Sequence, residues 1–318
     1  MIFIVGPTAT GKTQTGIELA KKINGEIVSA DSRQIYKYLS IGTAKPKGKW
    51  KKINNKKFYI VDGIPYHLVD FLDPKENFSA GEFVDSARKI INEIKERGKI
   101  PIIVGGTGLY INSLINGIAK LPPRDNALRE KLLQDEKKFG RGYLYKILKK
   151  VDPESAKRIH PNNIHRIIRA IEVFELTKIP ISEWHKRQKQ EKKQKNEDNL
   201  IFGLTCPRNL LYERINNRVE AMLKDGLIEE TKFLLDKSYP DDSPGLKSIG
   251  YKYVIQHIKN LISYQEMERL IKQETRHYAK RQITWFKKTE NVEWLDCSKN
   301  TSEEISKYIY GKSHNCWN

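Results

Sequence analysis

Gly6-Pro7-Thr8-Ala9-Thr10-Gly11-Lys12-Thr13 fits the pattern G-x-x-x-x-G-K-[ST], and its setting constrains the fold more than any other stretch of the chain. It follows a short β-branched and aromatic run, Met1 to Val5, that reads as a buried strand. It opens Gly11 to Ile23, where Ile17, Ala20 and Ile23 recur at helical spacing. A strand, a glycine-rich turn and a helix in that order aim backbone N–H groups and a helix N-terminus at an anion. Lys12 adds the charge that neutralises phosphate oxygens, and Thr13 adds a hydroxyl able to ligate Mg²⁺.

The rest of the sequence builds a sheet around that loop. Glu26 to Ala30 reads as a second strand and Ile100 to Val104 as a third. Between them, Ser79 and Glu82 form a capping box ahead of a helix with core residues Phe83, Ala87, Ile90, Ile91 and Ile94, which Gly98 ends. Continuous apolar strands alternating with helices imply a parallel sheet covered on both faces. The expected class is α/β, a phosphate-loop parallel core flanked by helices. Residues 126–185 show helical periodicity without a convincing strand, and 186–198 form a polar Lys, Gln and Glu tract. Leu200 to Thr205 then reads as a strand, with helices near 208–224, 227–236 and 264–288. The expected domains are therefore a core at 1–119 and 199–318, interrupted by a mostly helical insertion at 120–198.

Composition sets the kind of partner. Lys and Arg number 58 against 39 Asp and Glu, a net charge of +19 that suits a polyanion. Cys206, Cys297 and Cys316 are far apart in sequence and form neither a disulfide framework nor a paired metal motif, and His314 near Cys316 does not complete a zinc site. The apolar runs are far shorter than the ~20 residues of a membrane span. Met1 opens directly into a strand, which leaves no room for a presequence, so a cytoplasmic protein is expected.

Phosphate loops usually serve NTP hydrolysis or phosphoryl transfer, with an Asp at another strand tip helping to hold the metal. Here Ile100–Val104 runs into Gly105-Gly106-Thr107-Gly108, with no acid. Asp31 instead follows the strand Glu26–Ala30, at the carboxyl edge where open α/β sheets bind ligands. From spacing alone, Asp31 is a metal ligand, a base or a helix N-cap.

Four segments carry a family resemblance: Gly6–Thr13, Ser29-Ala-Asp-Ser-Arg-Gln-Ile-Tyr36, Ile41-Gly-Thr-Ala-Lys-Pro46 and Val104-Gly-Gly-Thr-Gly-Leu-Tyr110. Their order resembles the tRNA dimethylallyltransferase family, also called tRNA isopentenyltransferases. The likeness continues through Leu121-Pro-Pro-Arg, Leu128-Arg129, His165-Arg-Ile-Ile-Arg-Ala-Ile-Glu172, Ile249-Gly-Tyr-Lys252 and Thr275-Arg-His-Tyr-Ala-Lys-Arg-Gln282 with Thr284-Trp-Phe286. Ser248 and Tyr253 depart from the Ala and Glu expected there, and the zinc finger of longer eukaryotic members is missing, as in bacterial members. The resemblance implies transfer of a dimethylallyl group from dimethylallyl diphosphate to N6 of adenosine 37, beside the tRNA anticodon. It implies that the loop holds a leaving diphosphate, that Asp31 is the general base, and that Thr107 binds diphosphate and substrate. Lys12, Thr13 and Mg²⁺ would then stabilise the leaving group.

Further residues follow from the same resemblance. Ser32, Arg33 and Gln34 would contact the target base, and Arg281 would face the diphosphate or tRNA. Arg129, His165, Arg166, Ile167, Ile168 and Arg169 would belong to the tRNA-contacting set. On helical geometry His165, Arg166 and Arg169 share one face, which without the resemblance is a solvated face. Arg214 and Arg218 share another, and Arg276 and Lys280 repeat the spacing. Lys45, Lys47, Lys49, Lys51, Lys52, Lys56 and Lys57, with Trp50 among them, read as an exposed loop able to add phosphate affinity. The expected assembly is a monomer. The rival readings are a phosphate-loop kinase, which leaves the charge unexplained, and a non-catalytic RNA-binding protein, which leaves Lys12, Thr13, Asp31 and Thr107 unexplained.

Overall fold

The computed structural model describes residues 1–192 and 199–314; the end of the polar tract, at 193–198, and Cys316 lie outside them. Two compact units are formed, one from Met1–Ile115 with Glu197–Asn318, the other from Asn116–Asn196.

The first unit is built on eight strands: β1 (Ile2–Val5), β2 (Gly25–Ser29), β3 (Lys49–Ile53), β4 (Lys56–Val61), β5 (Ile64–His67), β6 (Ile100–Gly105), β7 (Leu200–Thr205) and β8 (Val292–Asp296). They form one sheet in the order β3-β4-β5-β2-β6-β1-β7-β8. From β5 to β8 all neighbours are parallel, while β3–β4 and β4–β5 are antiparallel. The fold is α/β, with helices such as Lys12–Lys22 and Ala80–Glu96 packed on the sheet. All of β1 is buried, since its Ile-Phe-Ile-Val side chains meet protein on both faces. Ile2 pairs with Ile102 on one side and Leu200 on the other, bringing the ends of β6 and β7 level with the loop after β1. Ser79 accepts from the Glu82 N–H in a complete capping box, which starts the helix where the sequence placed it.

The lysine-rich segment is not a loop. Lys49–Ile53 and Lys56–Val61 pair as a hairpin through Asn54 and Asn55, whose φ values of 47° and 63° suit a two-residue turn with left-handed backbone. Every residue of β3 is exposed, and lysines on a sheet edge discourage pairing with another chain. Lys45 is a second correction, because its side chain is buried and cannot reach a phosphate. Its Nζ lies 2.6 Å from Asp70 Oδ1 and 2.5 Å from the Tyr36 carbonyl. Cys206 and Cys297 follow neighbouring strands β7 and β8, yet both thiols are free, and Cys297 Sγ accepts from Arg214 Nη1 at 3.3 Å.

The described regular structure of the second unit is helical: Asn126–Phe139, Tyr143–Val151, Pro153–Arg158, Ile164–Thr177 and Ile181–Lys192. Its core gathers Leu132, Leu144, Leu148, Ile171 and Val173, together with Ile167 and Ile168. Those last two residues are 1% and 3% exposed, so their side chains fill this core rather than meeting RNA. Consecutive helix positions lie only ~100° apart, and a wide apolar stripe takes both.

Candidate active site

A cavity of about 500 Å³ opens at the carboxyl edge of the parallel strands in the first unit. It is lined by the phosphate loop, the segment after β2, the glycine-rich turn after β6 and the two helices Arg208–Lys224 and Tyr264–Phe286.

The loop after β1 wraps as its sequence requires. Gly6 has φ 138°, and a Cβ there would come within 2.5 Å of the Leu204 carbonyl oxygen, so no other residue fits. Thr10 Oγ1 and Lys12 Nζ both donate to the Pro7 carbonyl, at 2.9 and 2.5 Å. Burial first, and the neighbouring Arg218 second, bring the Lys12 ammonium down to about 8 against the opposing charge of Asp31. Arg218 Nη1 reaches Thr8 Oγ1 at 3.2 Å, so a second cation joins the loop from the helix Arg208–Lys224. Its pairing with Arg214 at i,i+4 was visible in the sequence, but its target was not.

Asp31 lies directly beyond β2. Its Oδ1 accepts from the Arg33 N–H at 2.8 Å and the Gln34 N–H at 3.3 Å, which fixes the carboxylate while it lines the cavity. Thr107 is brought alongside by the turn after β6. Its N–H donates to the Ala30 carbonyl at 3.1 Å, and its Oγ1 accepts from the Ser32 N–H at 3.0 Å. This approach needs glycine at position 105, where a Cβ would sit 2.2 Å from the Ala30 oxygen. Burial raises the Tyr278 phenol, and the Asp31 charge nearby raises it further. Asp31, Thr107, Lys12 and Thr13 therefore share one cavity, with Ser32, Arg33 and Gln34 on its wall. The outer groups of two of these are already engaged: Arg33 Nη1 donates to the Pro244 carbonyl, and Gln34 Nε2 to Ala44 and Thr43 carbonyls. Arg281 also lines the cavity, with its guanidinium 5.8 Å from the Tyr278 ring centre.

Gln282 escaped sequence reasoning as a site residue. Its Oε1 accepts from the Thr8 N–H at 2.9 Å, and its Nε2 donates to the Gly106 carbonyl at 2.9 Å. One buried amide thus ties the phosphate loop to the turn that carries Thr107.

In the helical unit the expected basic strip divides. His165 and Arg166 are exposed. Arg129 and Arg169 instead converge on the fully buried Glu172: Arg129 Nε and Nη2 at 2.7 and 2.8 Å, Arg169 Nη1 at 2.6 Å. Burial alone would raise the Glu172 carboxyl, but the two arginines and the Asp125 N–H hold it down at about 2. Arg169 Nη2 also donates to the Pro122 carbonyl at 2.8 Å. These two arginines organise their own unit.

The oxygen donors suit a hard cation. Thr13 and Asp31 line the same cavity and present a hydroxyl and a carboxylate oxygen to it. A sparse oxygen set completed by water and phosphate is the usual Mg²⁺ arrangement. No helix among the described residues is long and apolar enough to cross a membrane.

The family model described as IPP transferase matches residues 34–289. The chain belongs to this family of tRNA dimethylallyltransferases. It is 46% identical over 310 residues to the tRNA dimethylallyltransferase of Carboxydothermus hydrogenoformans, covering 97% of this chain and 96% of that one. The Geobacillus thermodenitrificans tRNA dimethylallyltransferase is 45% identical, over 98% and 96% of the two chains. Among solved structures, the Staphylococcus epidermidis tRNA isopentenylpyrophosphate transferase aligns with a TM-score of 0.69 at 40% identity, covering 99% of this chain and 98% of that one. A eukaryotic dimethylallyltransferase acting on tRNA aligns with a TM-score of 0.79 at 27% identity, over 99% of this chain and 78% of its own. The IPP transferase match takes in Gln282 and Arg281 but begins after the phosphate loop, which rests on its own motif and geometry.

Proposed function

We propose that this transferase moves the dimethylallyl group of dimethylallyl diphosphate to N6 of adenosine 37 in tRNA, with Asp31 as general base. The supporting observation is that Asp31 opens onto the same cavity as Lys12 and Thr13. A base and a diphosphate cradle can therefore face one reacting centre. The adenine N6 lone pair is delocalised into the ring, so the amine is a weak nucleophile. As N6 bonds to C1 of the prenyl group, the C1–O bond breaks, diphosphate leaves with the electron pair, and the N6 proton passes to an Asp31 oxygen. The bonds from the Arg33 and Gln34 N–H groups hold that carboxylate in position.

The diphosphate would lie on the N–H groups of the loop, with Lys12, Arg218 and Arg281 meeting its charge. Thr107 would bridge diphosphate and substrate. Thr13, with phosphate oxygens and water, would hold Mg²⁺, whose charge would stabilise the leaving group. Extruding an adenine from an anticodon loop costs a few kcal/mol, which contacts elsewhere must offset. His165 and Arg166 are proposed as tRNA contacts in the helical unit. For Arg129 and Arg169 the Glu172 network supports a positioning role instead.

The test combines unmodified tRNA, dimethylallyl diphosphate and Mg²⁺, and scores prenylated adenosine beside an NTP hydrolysis control. Asp31→Asn should bind both substrates normally but slow single-turnover transfer by roughly 10²-fold or more. A rate within a few-fold of wild type would remove Asp31 from the role. NTP turnover without prenylation would favour a kinase.

A further inference from the structure

The segment after the catalytic turn exposes an aromatic surface that the reaction does not use. Tyr36 and Leu39 are buried, 3% and 0% exposed, and between them Tyr38 turns outward at 49% exposure. Its φ of 66° places it in the left-handed region, which bulky residues rarely occupy. Beside it stands Phe233, 45% exposed on the helix Leu227–Asp236, with ring centres 6.1 Å apart and planes tilted by 57°, so that a base lying on one ring meets the edge of the other. Tyr239 completes the group at 6.4 Å from Tyr38.

Lysines lie against these rings, among exposed acids that include Asp236 on the same helix. Lys237 Nζ lies 5.6 Å from the Phe233 ring centre, and Lys75 Nζ lies 4.9 Å from that of Tyr239. Lys37 and Lys232 are exposed on the same two segments. The nearby Asp73 is engaged by the Tyr239 hydroxyl at 2.9 Å. Exposed aromatic rings with lysine ammonium groups against them offer stacking faces for flat bases and charge for the phosphates that link them.

The patch is fixed to the cavity wall. Gly42, Thr43 and Leu227 line the cavity, and Phe233 lies six residues beyond Leu227, about 9 Å along the helix axis. Glu230 locks the two segments together by accepting from the N–H groups of Ser40 (2.8 Å), Ile41 (2.9 Å) and Gly42 (3.2 Å) and from the Tyr251 hydroxyl (2.6 Å).

We propose that Tyr38 and Phe233 form a stacking platform for an unpaired nucleotide of the RNA substrate, next to the base held in the cavity. The platform rests on the tRNA reading of that cavity. Stacked bases are commonly worth enough that alanine substitution weakens binding by about five- to a hundred-fold. The probe is a synthetic anticodon stem–loop RNA carrying the target adenosine and a 2-aminopurine at a neighbouring loop position. Tyr38→Ala and Phe233→Ala should each raise its dissociation constant by at least about fivefold and remove the quenching of 2-aminopurine on binding. The KM for dimethylallyl diphosphate and the melting temperature should stay at wild-type values. Tyr38→Trp should retain affinity and quenching, whereas Tyr38→Leu, apolar but not aromatic, should not.

RNA affinity and quenching within twofold of wild type in both alanine variants, while the parent still prenylates the probe, would overturn the platform and leave the proposed reaction standing. A parent that binds the probe but never prenylates it would overturn the reaction instead. Retention of affinity and quenching in Tyr38→Leu would show plain apolar contact and also refute stacking. If a Tyr38 variant misfolds, Phe233→Ala on the helix decides by the same two readouts.

Discussion

Replacing Glu172 by Gln tests whether the helical unit is held by a buried charge network. Glu172 is fully buried and its two arginine partners are about a quarter exposed. The carboxyl is lowered from an ordinary 4.5 to about 2, a difference equivalent to about 3 kcal/mol. A folded value below the unfolded one means that this stability is fully present above pH 4.5 and is lost as pH falls towards 2. Glu172→Gln removes the charge and leaves two guanidinium groups facing a neutral amide. A fully buried broken pair costs about 3–5 kcal/mol, but these arginines can turn partly into water, so about 2–4 kcal/mol is expected. At tenfold per 1.4 kcal/mol, amide exchange in the helix Ile164–Thr177 at pH 7 should quicken by about 30- to 700-fold where it proceeds through opening of this unit. After correction for the intrinsic pH dependence of exchange, the gap in opening free energy between wild type and variant should narrow as pH falls from 5 to 3. Unchanged exchange in Glu172→Gln at pH 7, or a gap in opening free energy that stays constant with pH, would refute the reasoning.

Three further outcomes follow from geometry. With Lys12 lowered to about 8, the cation that meets the diphosphate is lost as pH rises through that value, so KM for dimethylallyl diphosphate should climb between pH 7 and 9.5; a flat profile in wild type counts against Lys12 as a ligand. Gln282→Leu keeps the bulk but leaves the Thr8 N–H and Gly106 carbonyl unpaired, at about 1–3 kcal/mol each, so thermal stability should fall and diphosphate KM rise about tenfold with RNA affinity unchanged. Lys45→Met should destabilise the protein, measured by urea unfolding, without altering the salt dependence of tRNA binding; a reduced salt slope would mean that Lys45 meets phosphate after all.

The readable parts of this chain were those whose structure is set by neighbours in sequence. The loop Gly6–Thr13, the capping box at Ser79 and the continuous apolar strands β1 and β6 each carry their own geometry. β3 was opaque because every residue of it is exposed, Trp50 included despite its contact with Tyr59, which leaves no buried apolar alternation to read. Ile167 and Ile168 show the limit of a motif: standing among His165, Arg166 and Arg169 says nothing about which way a side chain points. Gln282 was hidden for another reason. Its two partners lie 274 and 176 positions away, and no local pattern encodes such a bridge.

The central place of β1 has a consequence for how this chain is made. Its neighbours, β6 and β7, begin at residues 100 and 200, so this strand is made before either partner and waits for both. At ribosomal speeds of about 5–20 residues per second, Ile2–Val5 stays without its second neighbour for roughly 10–40 seconds. During that interval the phosphate loop has no floor, because the Leu204 backbone that packs under Gly6 does not yet exist. An unpaired apolar strand is prone to aggregate until its partners arrive, and such non-local pairing slows folding. The phosphate loop therefore cannot reach its final form until β7 has been made and paired.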